Sequence, residues 1–284
     1  GTVSLMTDPS RSFGSVVDAY DRARPSYPRE AAAWLAGDQP TTVLELGAGT
    51  GKLTEVLVGL GHDVHATEPD EQMLGRLREH LPDVRTSVGG AEEIAAPDGS
   101  YDVVVVAQAF HWFDHDRALP EIARVLKPGG RLSLVWNGRD ARIPWVRKLG
   151  RILGNQEQLR THEPLVTSPL FGFVEEQVFR HWQVVDRRSI QDLALSRSNV
   201  AVLDEDERAA KLAEVLAFYD DYGRGMDGMQ LPLEAACFRA SVVDRPAAAA
   251  PEDAEAAAEE TAAPDDGRVT DDGSDADVLL IDFR

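Results

Sequence analysis

The most regular pattern in the chain lies between residues 41 and 137, where short apolar runs alternate with amphipathic stretches. The apolar runs have the length and β-branched composition of buried strands, whereas the stretches between them repeat apolar residues with helical spacing. We predict strands at 42–46, 63–67, 84–88, 101–107 and 131–136. We predict helices between them at 53–60, 70–81 and 116–126. Strands that alternate with helices favour an α/β fold with a mostly parallel sheet, covered by helices on both faces.

The pattern is weaker beyond residue 140. Residues 141–228 are predicted to be mainly helical, with the clearest helix at 204–222 and a strand at 179–185. The stretch 230–242 is apolar enough to supply a last strand. This part of the chain therefore predicts helices added to the sheet rather than a second sheet.

The last part of the chain differs in composition. From residue 246 to about residue 277 it is rich in Ala, Glu, Asp and Pro, which predicts a linker or a disordered segment. It ends in the apolar stretch VLLIDFR at 278–284. We interpret that stretch as a tail that docks on its own domain. Two alternatives are a short motif for a protein partner and a peptide on which a modification enzyme acts.

Composition and charge argue against several classes of protein. No apolar run approaches the roughly 20 residues of a membrane span, and no apolar segment follows a basic one at the start, so we expect neither a membrane span nor a secretory signal. A net charge of -20 repels phosphate backbones and argues against nucleic acid as a partner. The single cysteine, Cys237, is predicted to be a buried thiol, and we expect a cytoplasmic protein. Residues 142–228 contain no cluster of metal ligands, so we expect no metal site.

A glycine-rich loop, ELGAGTG, follows the first predicted strand and contains Gly47, Gly49 and Gly51. Such a loop lets the backbone approach a ligand closely. A phosphate-binding P-loop needs a longer glycine spacing and a hydroxyl at the position of Leu53, so this class of site is disfavoured. A dinucleotide-binding loop needs a third glycine where Lys52 stands, which weakens but does not exclude that interpretation.

An acidic residue, Glu68, ends the second predicted strand. A carboxylate at that position can accept both hydroxyls of a ribose, in NAD or in another adenosine. The alternative is that Glu68 caps the helix that begins near Pro69, where negative charge is favourable. Together with the glycine loop, Glu68 favours a ligand that contains adenosine.

Five segments resemble, in order, the successive motifs of class I S-adenosylmethionine-dependent methyltransferases. They are most similar to the type 11, or UbiE-like, branch that acts on small molecules. The segments are VLELGAGTGKLT, ATEPDEQML, GGAEEI, YDVVVVAQAFHWFD and VLKPGGRLSLVWN. They cover about residues 40–137, and a looser resemblance extends from 13 to 241. The resemblance implies a Rossmann-like, mostly parallel seven-stranded sheet with an antiparallel last strand and a helical insertion over the active site.

The resemblance also implies S-adenosylmethionine as cofactor and a set of residues that bind it. Glu45 would bond the cofactor ammonium directly or through a water, Glu68 would take the ribose hydroxyls, and Met73 would pack on the adenine or fill the core. Family members commonly have Asp-Ala after the third strand; here the pair is Gly90-Ala91, so Glu92 or a backbone carbonyl would read the adenine. The predicted cofactor-binding residues are Glu45, Gly47, Ala48, Gly49, Gly51, Glu68, Pro69, Met73, Ala91, Glu92 and Gln108.

Three further residues are candidates for catalysis. Ligands bind at the carboxyl ends of strands in open α/β sheets, so Gln108 and His111 should face the reactive end of the cofactor. His111 is a candidate general base; the alternative is that it makes structural hydrogen bonds, with Trp112 and Phe113 in the core. Tyr20 and Arg24 are one helical turn apart and resemble the family's lid, which would cover the cofactor. Arg24 would meet the carboxylate of the cofactor or an anionic substrate; the alternative is a surface helix that packs on the sheet.

These features divide the chain into predicted regions with predicted roles. The regions are an N-terminal helical lid at 1–40, a cofactor-binding core at 41–140, an acceptor-selecting region at 141–228, a final strand at 229–245 and an acidic tail at 246–284. The predicted function is methyl transfer from S-adenosylmethionine to an O, N or C atom of a small molecule. The alternatives are a cofactor-binding scaffold or regulator without catalysis, and a methyltransferase of peptides.

Overall fold

A computed structural model of the chain describes residues 18, 21–154, 161–196, 202–222 and 228–244. The strands are β1 Thr42–Leu46, β2 Asp63–Glu68, β3 Arg85–Val88, β4 Tyr101–Ala107, β5 Leu126–Arg139, β6 Glu175–Val185 and β7 Met229–Ser241. The helices are α1 Arg29–Ala36, α2 Lys52–Gly59, α3 Glu71–His80, α4 His115–Val125, α5 Pro144–Leu153, α6 Glu163–Thr167, α7 Arg187–Leu195 and α8 Glu205–Tyr222. Tyr20 and the predicted tail at 246–284 lie outside the described residues.

The strands form one seven-stranded sheet in the order β3-β2-β1-β4-β5-β7-β6. The pairs among β1 to β5 are parallel, and β7 is antiparallel to both of its neighbours, β5 and β6. The predicted fold class, with a mostly parallel sheet and an antiparallel last strand, is therefore confirmed. The chain order reverses between β1 and β4, which is the place where such sheets bind ligands at the carboxyl ends of their strands.

Helices cover the central strands on both faces. Alternate side chains of β1 and β4 enter two different apolar clusters, one with α1 and α2 and one with α4. Burial on both faces explains why these strands appear in the sequence as nearly continuous apolar runs. Cys237 lies in the first cluster, as predicted, and burial raises the pKa of its thiol to about 12.

Two strands begin several residues earlier than the sequence predicts. β5 begins at Leu126, not at residue 131, because Leu126 pairs with Tyr101 before the register shifts. The close approach requires a glycine: a Cβ added to Gly130 would lie 2.8 Å from the Lys127 carbonyl oxygen. β6 begins at Glu175 rather than at residue 179, and its exposed first half lacks the apolar pattern of a buried strand.

The helices after residue 140 pack against the antiparallel end of the sheet. α5, α7 and α8 share an apolar cluster with Met229, Leu231 and Leu233 of β7, and the same cluster includes Ala23 near the start of the chain. The region is mainly helical, as predicted, with β6 inside it. Within the described residues, no helix combines the length and apolarity needed to cross a membrane.

Candidate cofactor site

A cleft opens at the carboxyl ends of β1 and β4, where the strand order reverses. Six of the predicted site residues line it together. They are Arg24, Glu45, Gly47, Ala48, Gly49 and Gln108. These six residues therefore meet in one cleft, and their binding of a cofactor stays a prediction.

Gly47 and Gly49 in the loop after β1 both have a positive φ, but only Gly47 is packed closely against another residue. Gly47 has a φ of 68°, and a Cβ added there would lie only 2.7 Å from the Ala109 Cβ. Gly49 has a φ of 59°, yet an added Cβ would meet no atom within 4 Å. Gly47 thus allows the loop to pack against the segment after β4, whereas Gly49 leaves open space in the wall of the cleft.

Glu45, on β1, brings a buried carboxyl group to the cleft. Its side chain is 1% exposed and accepts a hydrogen bond from the Thr54 hydroxyl of α2 at 2.6 Å. Burial raises the pKa of Glu45 to about 8, and the nearby charge of Glu68 adds to the increase. A cationic ligand beside Glu45 would favour its ionised form, because opposite charges stabilise each other.

Glu68, at the end of β2, holds the glycine loop. One carboxylate oxygen accepts from the Gly49 N–H at 3.0 Å and the other accepts from the Asp70 N–H at 2.9 Å. Asp70, not Glu68, caps α3, because its side chain accepts from the N–H groups of Gln72 and Met73. A carboxylate has about four acceptor sites, so Glu68 keeps the capacity to accept ribose hydroxyls.

Gln108 follows β4 in a strained backbone conformation. Its φ is 63°, the one positive value among the described non-glycine residues. Its Nε2 donates to the Asn137 carbonyl at 3.3 Å, while its Oε1 is the one buried side-chain N or O atom of the described residues without a hydrogen-bond partner. Positive φ and an unsatisfied buried acceptor each cost roughly 1–3 kcal/mol. A ligand that donates a hydrogen bond into the cleft would satisfy Oε1.

Residues 21–27, which we call the N-terminal segment, form one wall of the cleft. Arg24 lines the wall together with Pro25 and Tyr27. The segment is tied to the rest of the protein by ion pairs from Asp21 to Lys52 at 3.7 Å and from Arg22 to Asp192 at 3.1 Å. Arg24 lies just after the helical residues 21–23. The shared helical face predicted for Tyr20 and Arg24 involves a residue outside the described ones.

Besides Gly51 and Glu68, four predicted cofactor residues are not among those that line this cleft. Met73 is half-buried in the first turn of α3, and Pro69 is exposed before it. Ala91 packs in the apolar cluster on the α4 face. Glu92 accepts from the Asp114 N–H at 3.0 Å and so links the segment after β3 to the start of α4. The contacts predicted for these four residues, on the adenine side, stay predictions.

His111 lies in the 3-10 turn Phe110–Trp112 that follows Gln108. Its Nδ1 accepts a hydrogen bond from the Trp136 indole N–H at 3.3 Å, and its ring lies 4.8 Å from that of Trp112. His111 is not among the residues that line the cleft. Trp112 is 68% exposed and is therefore not a core residue, whereas Phe113 packs against the α4-face cluster.

A chain of polar contacts near the end of β5 was not predicted from the sequence. Asn137 accepts from Gln108 through its carbonyl, donates its Nδ2 to the Ser26 carbonyl at 3.2 Å, and contacts His181 Nε2 through Oδ1 at 2.9 Å. Burial lowers the pKa of His181. A signal was available, because Asn137 directly follows the fifth predicted strand, as Gln108 directly follows the fourth.

The site fits S-adenosylmethionine in three respects. The glycine loop leaves room for close backbone contact, Glu45 and Glu68 provide carboxyl groups for an ammonium and for ribose hydroxyls, and Gln108 has an unsatisfied acceptor. Glu45 would match the ammonium of the cofactor, Glu68 would match its ribose, and the Gln108 Oε1 would accept a hydrogen bond from it.

Comparison with known proteins identifies the family. The model of a methyltransferase domain family, type 11, matches residues 44–134. An uncharacterized methyltransferase of Mycobacterium bovis is 44% identical over 243 residues, which cover 83% of this chain and 97% of that protein. An uncharacterized methyltransferase of Schizosaccharomyces pombe is 34% identical over 221 residues, covering 72% and 87%.

A solved structure gives the same fold. A type II methyltransferase candidate from Anaeromyxobacter dehalogenans aligns with a TM-score of 0.56 and 24% identity, over 77% of this chain and 97% of that one. The motifs, the sheet order and the extended identity to whole methyltransferases agree. The chain therefore belongs to the class I S-adenosylmethionine-dependent methyltransferases, and S-adenosylmethionine is its methyl donor.

Proposed function

We propose that the protein methylates a small-molecule acid on a carboxylate oxygen. The observation that carries the proposal is the position of Arg24, a guanidinium in the wall of the cleft. Arg is well suited to bind carboxylates, through two parallel hydrogen bonds.

The electrostatics of the cleft support an anionic acceptor. Lys52 is a second cation among the lining residues, and Glu45 is the lining residue that carries a carboxyl group. Because burial raises the pKa of Glu45 to about 8, that carboxyl is largely protonated at neutral pH in the ligand-free protein. When the cofactor ammonium is bound, Glu45 would be ionised but its charge would be offset by that ammonium, so an acid would meet little net opposing charge.

Two more distant relatives support an acid as acceptor through their names. A malonyl-[acyl-carrier protein] O-methyltransferase of Methylococcus capsulatus is 34% identical over 149 residues, which cover 47% of this chain. A trans-aconitate 2-methyltransferase of Variovorax paradoxus is 28% identical over 170 residues, which cover 55% of this chain. Both matches are partial, so they bear on the class of acceptor and not on its identity.

The residues of this chain would bind and align the reactants. When bound, S-adenosylmethionine supplies a methyl group attached to a positively charged sulfur. The glycine loop, Glu45 and Glu68 would hold the cofactor, and Arg24 would orient the acceptor carboxylate. A carboxylate has a pKa near 4 and is already ionised at neutral pH, so alignment can supply much of the rate without a base.

A pair of measurements tests the proposal. Methyl incorporation should be detected with small carboxylic acids and absent with the matched primary amides. Arg24→Gln should raise KM for the acid by about tenfold or more, because a charge-assisted contact is lost. Arg29→Gln is the matched control, since Arg29 is exposed at the start of α1 and does not line the cleft. Methylation of amines or amides but not of acids would contradict the proposal.

A further inference from the structure

The strand β6 is a long edge of the sheet. It pairs with β7 over all of its 11 residues and stands last in the strand order. Among the described parts of the chain, no second strand pairs with β6. The opposite edge strand, β3, has only four residues. Every second residue of an edge strand directs its N–H and C=O groups away from the sheet, so β6 can pair with one more strand.

The side chains of β6 are covered on one face only. Phe179 packs against the apolar cluster of α1 and α2, and Val185 lies in the cluster of α5, α7 and α8. Val178, Trp182 and Val184 point to the other face, because side chains alternate along a strand. These three side chains are 51%, 62% and 65% exposed. An apolar row therefore follows the edge of the sheet on its uncovered face.

The usual features that prevent an edge strand from pairing with another chain are few in β6. Such strands are commonly protected by prolines, by bulges or by several charged side chains. β6 contains no proline, and its register with β7 is continuous. Between residues 177 and 185 its one Lys, Arg, Asp or Glu side chain is Arg180. The edge is thus open to pairing with a further strand.

The charges of β6 are complementary to those of a second copy of the same strand. A two-fold axis normal to the sheet brings together residues that share a face. With the axis at Val178, Glu176 of each copy lies opposite Arg180 of the other, because each is two residues from the axis. An axis at Arg180 or at Glu176 would instead oppose like charges, which destabilises a strand pair.

Both charged side chains can reach a second copy. Within the chain, Glu176 contacts His162 at 3.2 Å and Arg180 contacts Glu234 at 3.7 Å. The side chains of Glu176 and Arg180 are nevertheless more than half exposed. Opposite charges on facing strands contribute to pairing, and this arrangement provides that contact twice.

We infer that β6 is a dimerisation edge, on which two copies of this chain pair their β6 strands antiparallel about a two-fold axis at Val178. The pairing joins two sheets into one, satisfies the outward backbone groups and covers part of the apolar row. The inference does not depend on the proposed acceptor, because none of the residues that line the cleft lies on β6.

Sedimentation velocity of the full chain over a concentration series tests the inference. The wild type should form a reversible dimer. Arg180→Glu would oppose carboxylates and Glu176→Arg would oppose guanidinium groups, so each should raise the dimer dissociation constant by about tenfold or more. Arg29→Glu, the same charge change at an exposed position of α1, is the matched control and should have no effect. A monomeric full chain, with the edge open or covered by its own tail, would overturn the inference.

A mixture of the two charge variants gives a sharper test. Each variant supplies the charges that the other lacks, so every facing pair in a mixed dimer is again of opposite sign. A one-to-one mixture of Arg180→Glu and Glu176→Arg should therefore form dimers at concentrations where each variant alone is monomeric. Two variants that stay monomeric when mixed would overturn the inference.

Cysteine cross-linking tests the register. The one cysteine of the chain, Cys237, is buried, so it should not react. In Val178→Cys the two thiols face each other across the axis, where opposite Cβ atoms are about 5 Å apart, and a short thiol cross-linker should join the copies. Val184→Cys is the matched control, because its thiols would lie roughly 40 Å apart along the strands. Cross-linking of Val184→Cys but not of Val178→Cys would overturn the inference.

Discussion

The carboxylate of Glu68 accepts a hydrogen bond from the backbone N–H of Gly49 at 3.0 Å. The end of β2 thereby fixes the glycine loop that follows β1, although the two residues are far apart in the sequence. The same carboxylate also accepts from the Asp70 N–H. One side chain thus shapes the loop and presents acceptor sites to a ligand.

Glu68→Gln should weaken both the fold and cofactor binding. The amide can accept through only one atom, so its NH₂ group would face one of the two backbone donors. We expect a loss of about 1–3 kcal/mol in the free energy of unfolding and about tenfold or more in affinity for S-adenosylhomocysteine. Denaturant titration and calorimetry measure the two effects. Glu71→Gln, an exposed neighbour in α3, is the control, and equal affinities in the two variants would count against the ribose role of Glu68.

Gly47→Ala should destabilise the protein because the loop cannot accept a side chain there. The φ of 68° is unfavourable for alanine, and its Cβ would lie 2.7 Å from the Ala109 Cβ. The expected cost is about 1–3 kcal/mol in the free energy of unfolding, with a loss of cofactor binding. Gly59→Ala is a matched control in α2, where an added Cβ meets nothing within 4 Å, and it should be neutral or stabilising. A stable Gly47→Ala protein with normal affinity would contradict this account of the loop.

The buried carboxyl of Glu45 should make the stability of the ligand-free protein depend on pH. Its folded pKa of about 8 lies above the ordinary value of 4.5, so the folded state binds a proton that the unfolded state releases between these values. The contribution of Glu45 is fully present below pH 4.5 and is lost as pH rises through about 8. Across this window, the free energy of unfolding of the wild type should fall by up to about 1.4 kcal/mol per pH unit more than that of Glu45→Gln. Denaturant titrations at pH 5, 6, 7 and 8 measure the free energy of unfolding of both proteins. The same dependence on pH in the two proteins would contradict this role of Glu45.

The ion pair between Arg22 and Asp192 should hold the N-terminal segment against the cleft. Asp192 is buried on α7 and accepts from two guanidinium nitrogens of Arg22, both at 3.1 Å. Asp192→Asn should therefore increase proteolytic cleavage near residues 21–27 and speed cofactor dissociation severalfold. Limited proteolysis and stopped-flow displacement measure these effects. Asp206→Asn, exposed on α8, serves as control; if it behaves like Asp192→Asn, the ion pair has no special role.

The central strands and the glycine loop could be predicted because local sequence determines them. β1 and β4 are buried on both faces, so their apolar runs identify them without knowledge of their neighbours. β6 differs because it lies at the edge of the sheet. Its first four residues are exposed, and their strand conformation depends on pairing with β7, which is distant in sequence.

The partners of the site residues could not be predicted in the same way. The contacts of Glu45 with Thr54 and of His111 with Trp136 depend on how separate elements pack. The positive φ of Gln108 is not encoded by a glycine, so the sequence contained no sign of it. Residue types at strand ends therefore indicated the edge of the sheet where Glu45 and Gln108 meet, but not the atoms that they present to the cleft.

The central claim is that the cleft beside the glycine loop binds S-adenosylmethionine, and calorimetry tests it most directly. Titration of the full chain with S-adenosylmethionine should give saturable one-to-one binding that is weakened in Glu68→Gln. Titration with NADH, the ligand of a dinucleotide-binding loop, should give none. Binding of NADH but not of S-adenosylmethionine would contradict the account.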